Sequence, residues 1–216
     1  YLVNKRVWAE AGITKAPTSP EEWIQALETI KAKTDAIPLY TNYKDGWPMN
    51  QWNGARFLVD GPEATNMLAK DKTPWAEGRA YGITDGMLYD AVSNGLTETD
   101  PTTTAWEPSK TMIATGEIAT MVMGSWAISQ MKDAAATAGV PVTDIDYWPW
   151  PIQKNGNYQA VVSGDYKMGI NKNSDCKGTA RAFVEWFIGE SGFAFDQGGI
   201  SPLQGGPTPA NYGTFD

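Results

Sequence analysis

The 216-residue chain is 42% hydrophobic, enough to bury a core, and sets 17 Lys and Arg against 25 Asp and Glu, a formal charge of -8. An acid excess without a basic cluster argues against a nucleic-acid partner. One cysteine, Cys176, and no histidine exclude an intramolecular disulfide, imidazole or thiolate-cluster metal sites, and Ser-His-Asp or Cys-His catalysis. No calcium-loop spacing of acids occurs, no apolar run reaches the roughly 18 residues of a spanning helix, and no signal-peptide pattern opens the chain. No metal, no cofactor and no catalytic residue are expected.

In chain order, Tyr1 to Val3 reads as a strand, and Asn4 as the cap of a helix that stops at Gly12. Ser19-Pro20-Glu21-Glu22 combines an N-cap, a first-turn Pro and an acid three residues after the cap. Trp23, Ala26, Leu27 and Ile30 follow at helical spacing. Ala36 to Tyr40 is expected as a buried strand leading into the loop 41–48, then a helix around Gln51 to Val59. Thr84 is expected to cap a helix ending near Gly95, and Ser109 to Thr115 to form another, closed by Gly116.

Ile118 to Met123 carries a strand signature, with Met121 and Met123 read as core, and Gly124-Ser125 turns into a helix through Ala138. Strands are expected at Asp144–Trp148, Ala160–Val162 and Lys167–Ile170, and Ser174 as the cap of a final amphipathic helix. The Gly- and Pro-rich end carries no regular pattern. Helices alternating with short strands define an α/β class.

Ten Trp, nine Tyr and six Phe are unusual, and several Trp stand beside Gly, Pro, Asn or Asp rather than within apolar helical patterns. Trp8, Trp23 and Trp186 sit on helical apolar faces and read as core. Trp106, Trp148 and Trp150 are open between ring platform and packing. Trp52 and Trp75 carry no assignment.

Three ordered passages carry a resemblance. The first runs from Tyr1-Leu-Val-Asn4-Lys5 to Ala11-Gly12, with Pro17 and Glu22-Trp23 behind it. The second is Met112-Ile-Ala-Thr-Gly116-Glu-Ile-Ala119-Thr-Met121-Val-Met-Gly124-Ser125-Trp126. The third joins Tyr147-Trp-Pro149-Trp-Pro151 to Ser163-Gly164, Met168 to Ser174, and the helix with Ala180, Phe183 and Phe187. Together they resemble the family 1 extracellular solute-binding proteins, the maltose-binding-protein-like group.

That resemblance implies a type II periplasmic-binding-protein-like fold, whose two lobes close on a sugar. Residues 1–162 are expected as the second lobe, and 163–216 as an incomplete crossover segment of the first. The rest of the first lobe and an export signal are expected ahead of Tyr1, and a helical part after Asp216. The apolar face of Ala180, Phe183, Val184 and Phe187 should then lack its partner and pack against another chain or be poorly held.

The resemblance further implies a bacterial extracytoplasmic protein, a cell-surface lipoprotein or a periplasmic one. Its partners would be a carbohydrate and the permease of an ABC importer, with membrane attachment only through a lipid anchor outside these residues. The alternatives are a glycoside hydrolase-like enzyme, which needs only two carboxylates, or a carbohydrate-binding adhesion module.

Sugars present a hydroxyl rim and an apolar C–H face, which proteins meet with polar groups and aromatic rings. Asn42-Tyr43-Lys44-Asp45-Gly46-Trp47 holds both kinds in one loop. By resemblance, Asp45 accepts hydroxyl hydrogen bonds and Trp47 stacks, with Asn42 and Tyr43 as further candidates. A structural turn with Trp47 packed into the core is the other option. Trp126 would line the cleft, or else pack at a helix start. Gly164 and Asp165 would approach the ligand from the crossing loop, or form a simple turn.

Overall fold

The computed structural model describes residues 1–209, so the last of the Gly- and Pro-rich end lies outside the described residues. The chain divides into two compact units, one up to Val161 and one from Val162.

The first unit is built on a short mixed sheet. Strand β1 (Leu2–Asn4) lies between β2 (Thr120–Met121) and β3 (Ile145–Tyr147), antiparallel to both. Leu2 pairs with Met121 on one side and Tyr147 on the other. The expected strand at Ala36–Tyr40 is reduced to bridges, with Ile37 beside Ile118, Tyr40 beside Met121 and Leu39 beside Thr97, all parallel. Pro38 lacks the N–H that a continuous ladder needs.

The core falls into two layers. Val3, Ala119 and Val122 point to one face, with α1 (Lys5–Glu10), α2 (Pro20–Lys33) and α5 (Ala80–Ser93). Leu2, Ile118, Met121 and Met123 point to the other, with α6 (Trp106–Thr115) and α7 (Ala127–Ala138). Trp8 and Trp23 are fully buried in the first layer. Trp148 meets Trp8 edge-to-face at 4.8 Å and Trp150 meets Trp52 edge-to-face at 5.3 Å, so all four pack with the interior layer rather than as exposed platforms. Trp75, by contrast, is 65% exposed.

Asn4 does three jobs from a fully buried position. Its Oδ1 accepts from Val7 N–H at 3.2 Å, capping α1, while its Nδ2 donates to Ile113 O at 2.8 Å and its backbone N–H to Ala119 O. Ser19 caps α2 by accepting from Glu22 N–H at 3.2 Å. Glu22 departs from the usual reciprocal bond and accepts instead from the backbone and hydroxyl of Thr18.

Several expected boundaries shift. Residues 47–55 form a 3₁₀ segment before α3 (Arg56–Asp60), because Pro48, Asn50, Asn53 and Gly54 are poor α-formers. The loop that follows contains α4 (Ala64–Leu68). Thr84 is not a cap but a buried interior residue of α5, on one stripe with Ala80, Met87 and Ala91. Helix α6 starts at Trp106 rather than Ser109, since Pro108 falls in the first turn, where its missing N–H costs nothing. Gly116 ends it at φ +89.

The expected strands at 160–162 and 167–170 are not formed, and both segments are irregular and exposed. A hairpin stands just before them instead. β4 (Gln153–Lys154) and β5 (Asn157–Tyr158) pair around Asn155-Gly156, both at positive φ.

The second unit holds α8 (Lys177–Gly189) and α9 (Phe193–Asp196). Cys176, exposed, precedes α8 as its N-cap residue, and Ser174 Oγ accepts from the Cys176 N–H instead of capping the helix directly. No residue of α8 is buried. Trp186, expected in a core, is 49% exposed and Phe183 53%, because the unit supplies no layer to cover them. Phe187 meets Phe193 at 4.6 Å, and Phe193 meets Tyr166 at 4.9 Å.

Candidate functional site

The three mutually parallel segments, around residues 37–40, 97 and 118–121, run in one direction, so the loops leaving their carboxyl ends share an edge of the sheet. In open α/β sheets that edge is where ligand crevices form. Each loop delivers a tryptophan: Trp47 from the first, Trp106 from the second, Trp126 from the third. Their rings form a closed triangle. Trp47 and Trp106 are 5.4 Å apart at 72°, Trp106 and Trp126 5.5 Å at 60°, and Trp47 and Trp126 5.8 Å at 44°. Trp106 is buried, Trp126 half-buried and Trp47 37% exposed, so the triangle is anchored at Trp106 and open at Trp47. Lys110 Nζ lies 5.2 Å from the centre of the Trp106 ring, a cation–π contact.

Backbone geometry sets the loops. Asn42 adopts the left-handed conformation at φ +57, Tyr43–Asp45 make one 3₁₀ turn, and Gly46 at φ +70 redirects the chain into Trp47. On the third loop, a Cβ at Gly124 would stand 2.4 Å from Trp126 Nε1 and 2.7 Å from its Cδ1. Only glycine leaves room for that ring.

The polar candidates divide. Asp45 is exposed, and its Oδ2 accepts the Trp106 N–H at 2.5 Å, which satisfies the first amide of α6. Tyr43 is 49% exposed beside it. Asn42 is fully buried, with Nδ2 3.4 Å from Met121 Sδ and Oδ1 without a hydrogen-bond partner. Gly164 and Asp165 belong to the second unit, exposed and outside regular structure.

Two participants escape the sequence reading. Trp106 stands there only as an optional platform, although it forms one side of the triangle. Glu98 has no place there at all, because nothing in Thr97-Glu98-Thr99-Asp100 marks one acid as buried. It is 7% exposed, and it accepts from Thr41 N–H at 3.0 Å, Thr41 Oγ1 at 2.6 Å and Thr104 Oγ1 at 2.9 Å. Burial, and after it the Glu98 charge, holds the neighbouring Tyr40 phenol above its ordinary pKa.

Chemically, the arrangement offers aromatic faces and carboxylate acceptors. Among the described residues no cluster of potential metal ligands occurs, and no helix is long and apolar enough to cross a membrane. A cleft of ≈ 720 Å³ lies elsewhere, between α2 and α5, with no aromatic wall.

An α/β unit that gathers rings at the carboxyl edge of its strands is built as in the type II periplasmic-binding-protein-like fold, and solved structures of that fold superpose on it. The chain belongs to the bacterial extracellular solute-binding proteins, whose family model matches residues 1–192. A manno-oligosaccharide-specific solute-binding protein from Bifidobacterium animalis subsp. lactis, solved with mannotriose, is 40% identical at a TM-score of 0.85. That match covers 99% of this chain and 52% of the other. A chitin oligosaccharide binding protein is 26% identical at a TM-score of 0.69, over 97% of this chain and 53% of that one. The diacetylchitobiose binding protein DasA of Streptomyces coelicolor is 24% identical, over 94% of this chain and 45% of the relative. The chain therefore spans about half the length of these relatives, each of them described as a binding protein.

Proposed function

We propose that the protein carrying this chain is the extracytoplasmic substrate-binding component of an ABC importer, and that it binds an oligosaccharide without altering it. The observation that carries this reading is the Trp47–Trp106–Trp126 triangle at the carboxyl edge of three parallel segments, in a member of the solute-binding family. Trp47 and Trp126 would meet the apolar face of a sugar ring. Asp45, with one oxygen held by Trp106 N–H, has its other oxygen to accept a hydroxyl, and Tyr43 stands next to it.

Residues 1–162 would form most of one lobe, and the segment from 163, with Gly164 and Asp165, would belong to the opposing one. Closure between lobes would complete the site. The membrane permease is the partner this role implies, with a lipid anchor outside these residues as the attachment if there is one. The relatives' ligands point to oligosaccharide panels, manno- and chitin oligosaccharides first.

The test is titration calorimetry of the full-length protein against such a panel, with a reducing-end assay alongside. Saturable binding of one series and no new reducing ends are expected. No binding across the panel, or release of reducing ends that Asp45→Asn abolishes, would overturn the reading.

A further inference from the structure

A buried carboxylate without a cationic partner is costly to keep, unless its lone pairs are filled and it holds something in place. Glu98 is such a group. Both its oxygens face Thr41 N–H, at 3.0 and 3.1 Å, and its Oε1 also takes the Thr41 and Thr104 hydroxyls. Thr41 begins the loop that ends in Trp47. Thr104 stands two residues before Trp106. Thr104 also holds the first loop directly, since its Oγ1 accepts from Tyr43 N–H at 3.2 Å and its carbonyl from Lys44 N–H at 3.1 Å.

Leu39 N–H donates to Leu96 O at 3.0 Å just behind this knot, and the Asp45–Trp106 bond closes it in front. The two loops that supply Trp47 and Trp106 are thus joined through one acid and one threonine. Both are buried, at 7% and 9% exposed.

We propose that Glu98, acting through Thr104, is a positioning residue that fixes the mutual orientation of Trp47 and Trp106, and so sets the shape of the ring surface offered to ligand. The consequence for binding rests on the function proposed above, but the consequence for ring geometry does not. Glu98→Gln removes the charge that strengthens all three donors' bonds. Thr104→Val keeps the volume and removes the hydroxyl that both gives and takes. Thr104→Ser keeps the hydroxyl.

Tryptophan rings 5–6 Å apart couple their transitions, so near-ultraviolet circular dichroism reads the triangle without any ligand. Trp106→Phe in the full-length protein identifies the bands that belong to it. Glu98→Gln and Thr104→Val are expected to diminish those bands, with far-ultraviolet spectra and a cooperative melt retained, and to weaken oligosaccharide binding 3- to 30-fold. Thr104→Ser should restore both the bands and the affinity.

Wild-type bands in both Glu98→Gln and Thr104→Val overturn the proposal. So does a Thr104→Ser variant that falls as far as Thr104→Val, because the hydroxyl would then not matter. If Glu98→Gln fails to fold, the two Thr104 variants decide. A wild-type protein that binds no oligosaccharide, with the band changes as expected, refutes the function but not the positioning. Wild-type binding with unchanged bands in the variants does the reverse.

Discussion

At the residue scale, Gly124 and Trp126 are a coupled pair. A methyl at Gly124 would overlap the Trp126 ring, so Gly124→Ala should turn that ring away and weaken ligand binding by up to the about 1–3 kcal/mol of losing its aromatic burial. Trp47→Ala and Trp126→Ala should each weaken it by about 1–3 kcal/mol, through lost aromatic burial. Calorimetry on the full-length protein checks all three, and unchanged affinity in both Trp variants would remove those rings from the site. The Trp47 and Trp126 candidacies rest on the resemblance and on their positions, Trp47 after Gly46 and Trp126 after Gly124-Ser125. Trp106 was less legible, since its place depends on which loops share an edge of the sheet. Glu98 was invisible for the same reason, three of its hydrogen bonds reaching Thr41 across 57 residues of chain.

At the scale of elements, local signals read well where chemistry and position coincide. Asn4 and Ser19 are caps, and Gly116 closes a helix, each satisfying end groups that the helix itself cannot. Asn4 carries more than a cap. Asn4→Asp would keep the acceptor for Val7 N–H but turn a carboxylate oxygen toward the Ile113 carbonyl in a site with no solvent exposure. It should therefore destabilise by about 3–5 kcal/mol, more than the about 1 kcal/mol of Ser19→Ala, in chemical denaturation. Equal losses would show the donor side of Asn4 to be dispensable. Thr84 failed as a cap because burial of the Ala80–Met87–Ala91 stripe extends α5 one turn further back. Asn155-Gly156, both at positive φ, is a strong local hairpin signal, and the hairpin forms there rather than strands further on.

At the scale of the molecule, the two units differ in how much they bury. Helix α2 buries Trp23, Ala26, Leu27 and Ile30, whereas α8, of nearly equal length, has no fully buried residue. Backbone amides open locally where few apolar contacts hold them. In the 216-residue chain, amide hydrogen exchange should therefore run at least about 100-fold faster in α8 than in α2, a difference of roughly 3 kcal/mol in opening free energy. Protection of α8 equal to that of α2 would mean that its aromatic face is covered.

The sequence by itself determined the α/β class, the main helices, the caps Asn4 and Ser19, the buried Trp8 and Trp23, the exclusion of histidine and cysteine chemistry, and the family. Those properties rest on composition and on contacts within a few residues, which spacing encodes directly. Only the tertiary structure decided which tryptophans meet and which acid is buried. These depend on pairings such as Tyr40 with Met121 and Leu39 with Thr97, which bring distant loops to one edge and leave no periodic trace along the chain.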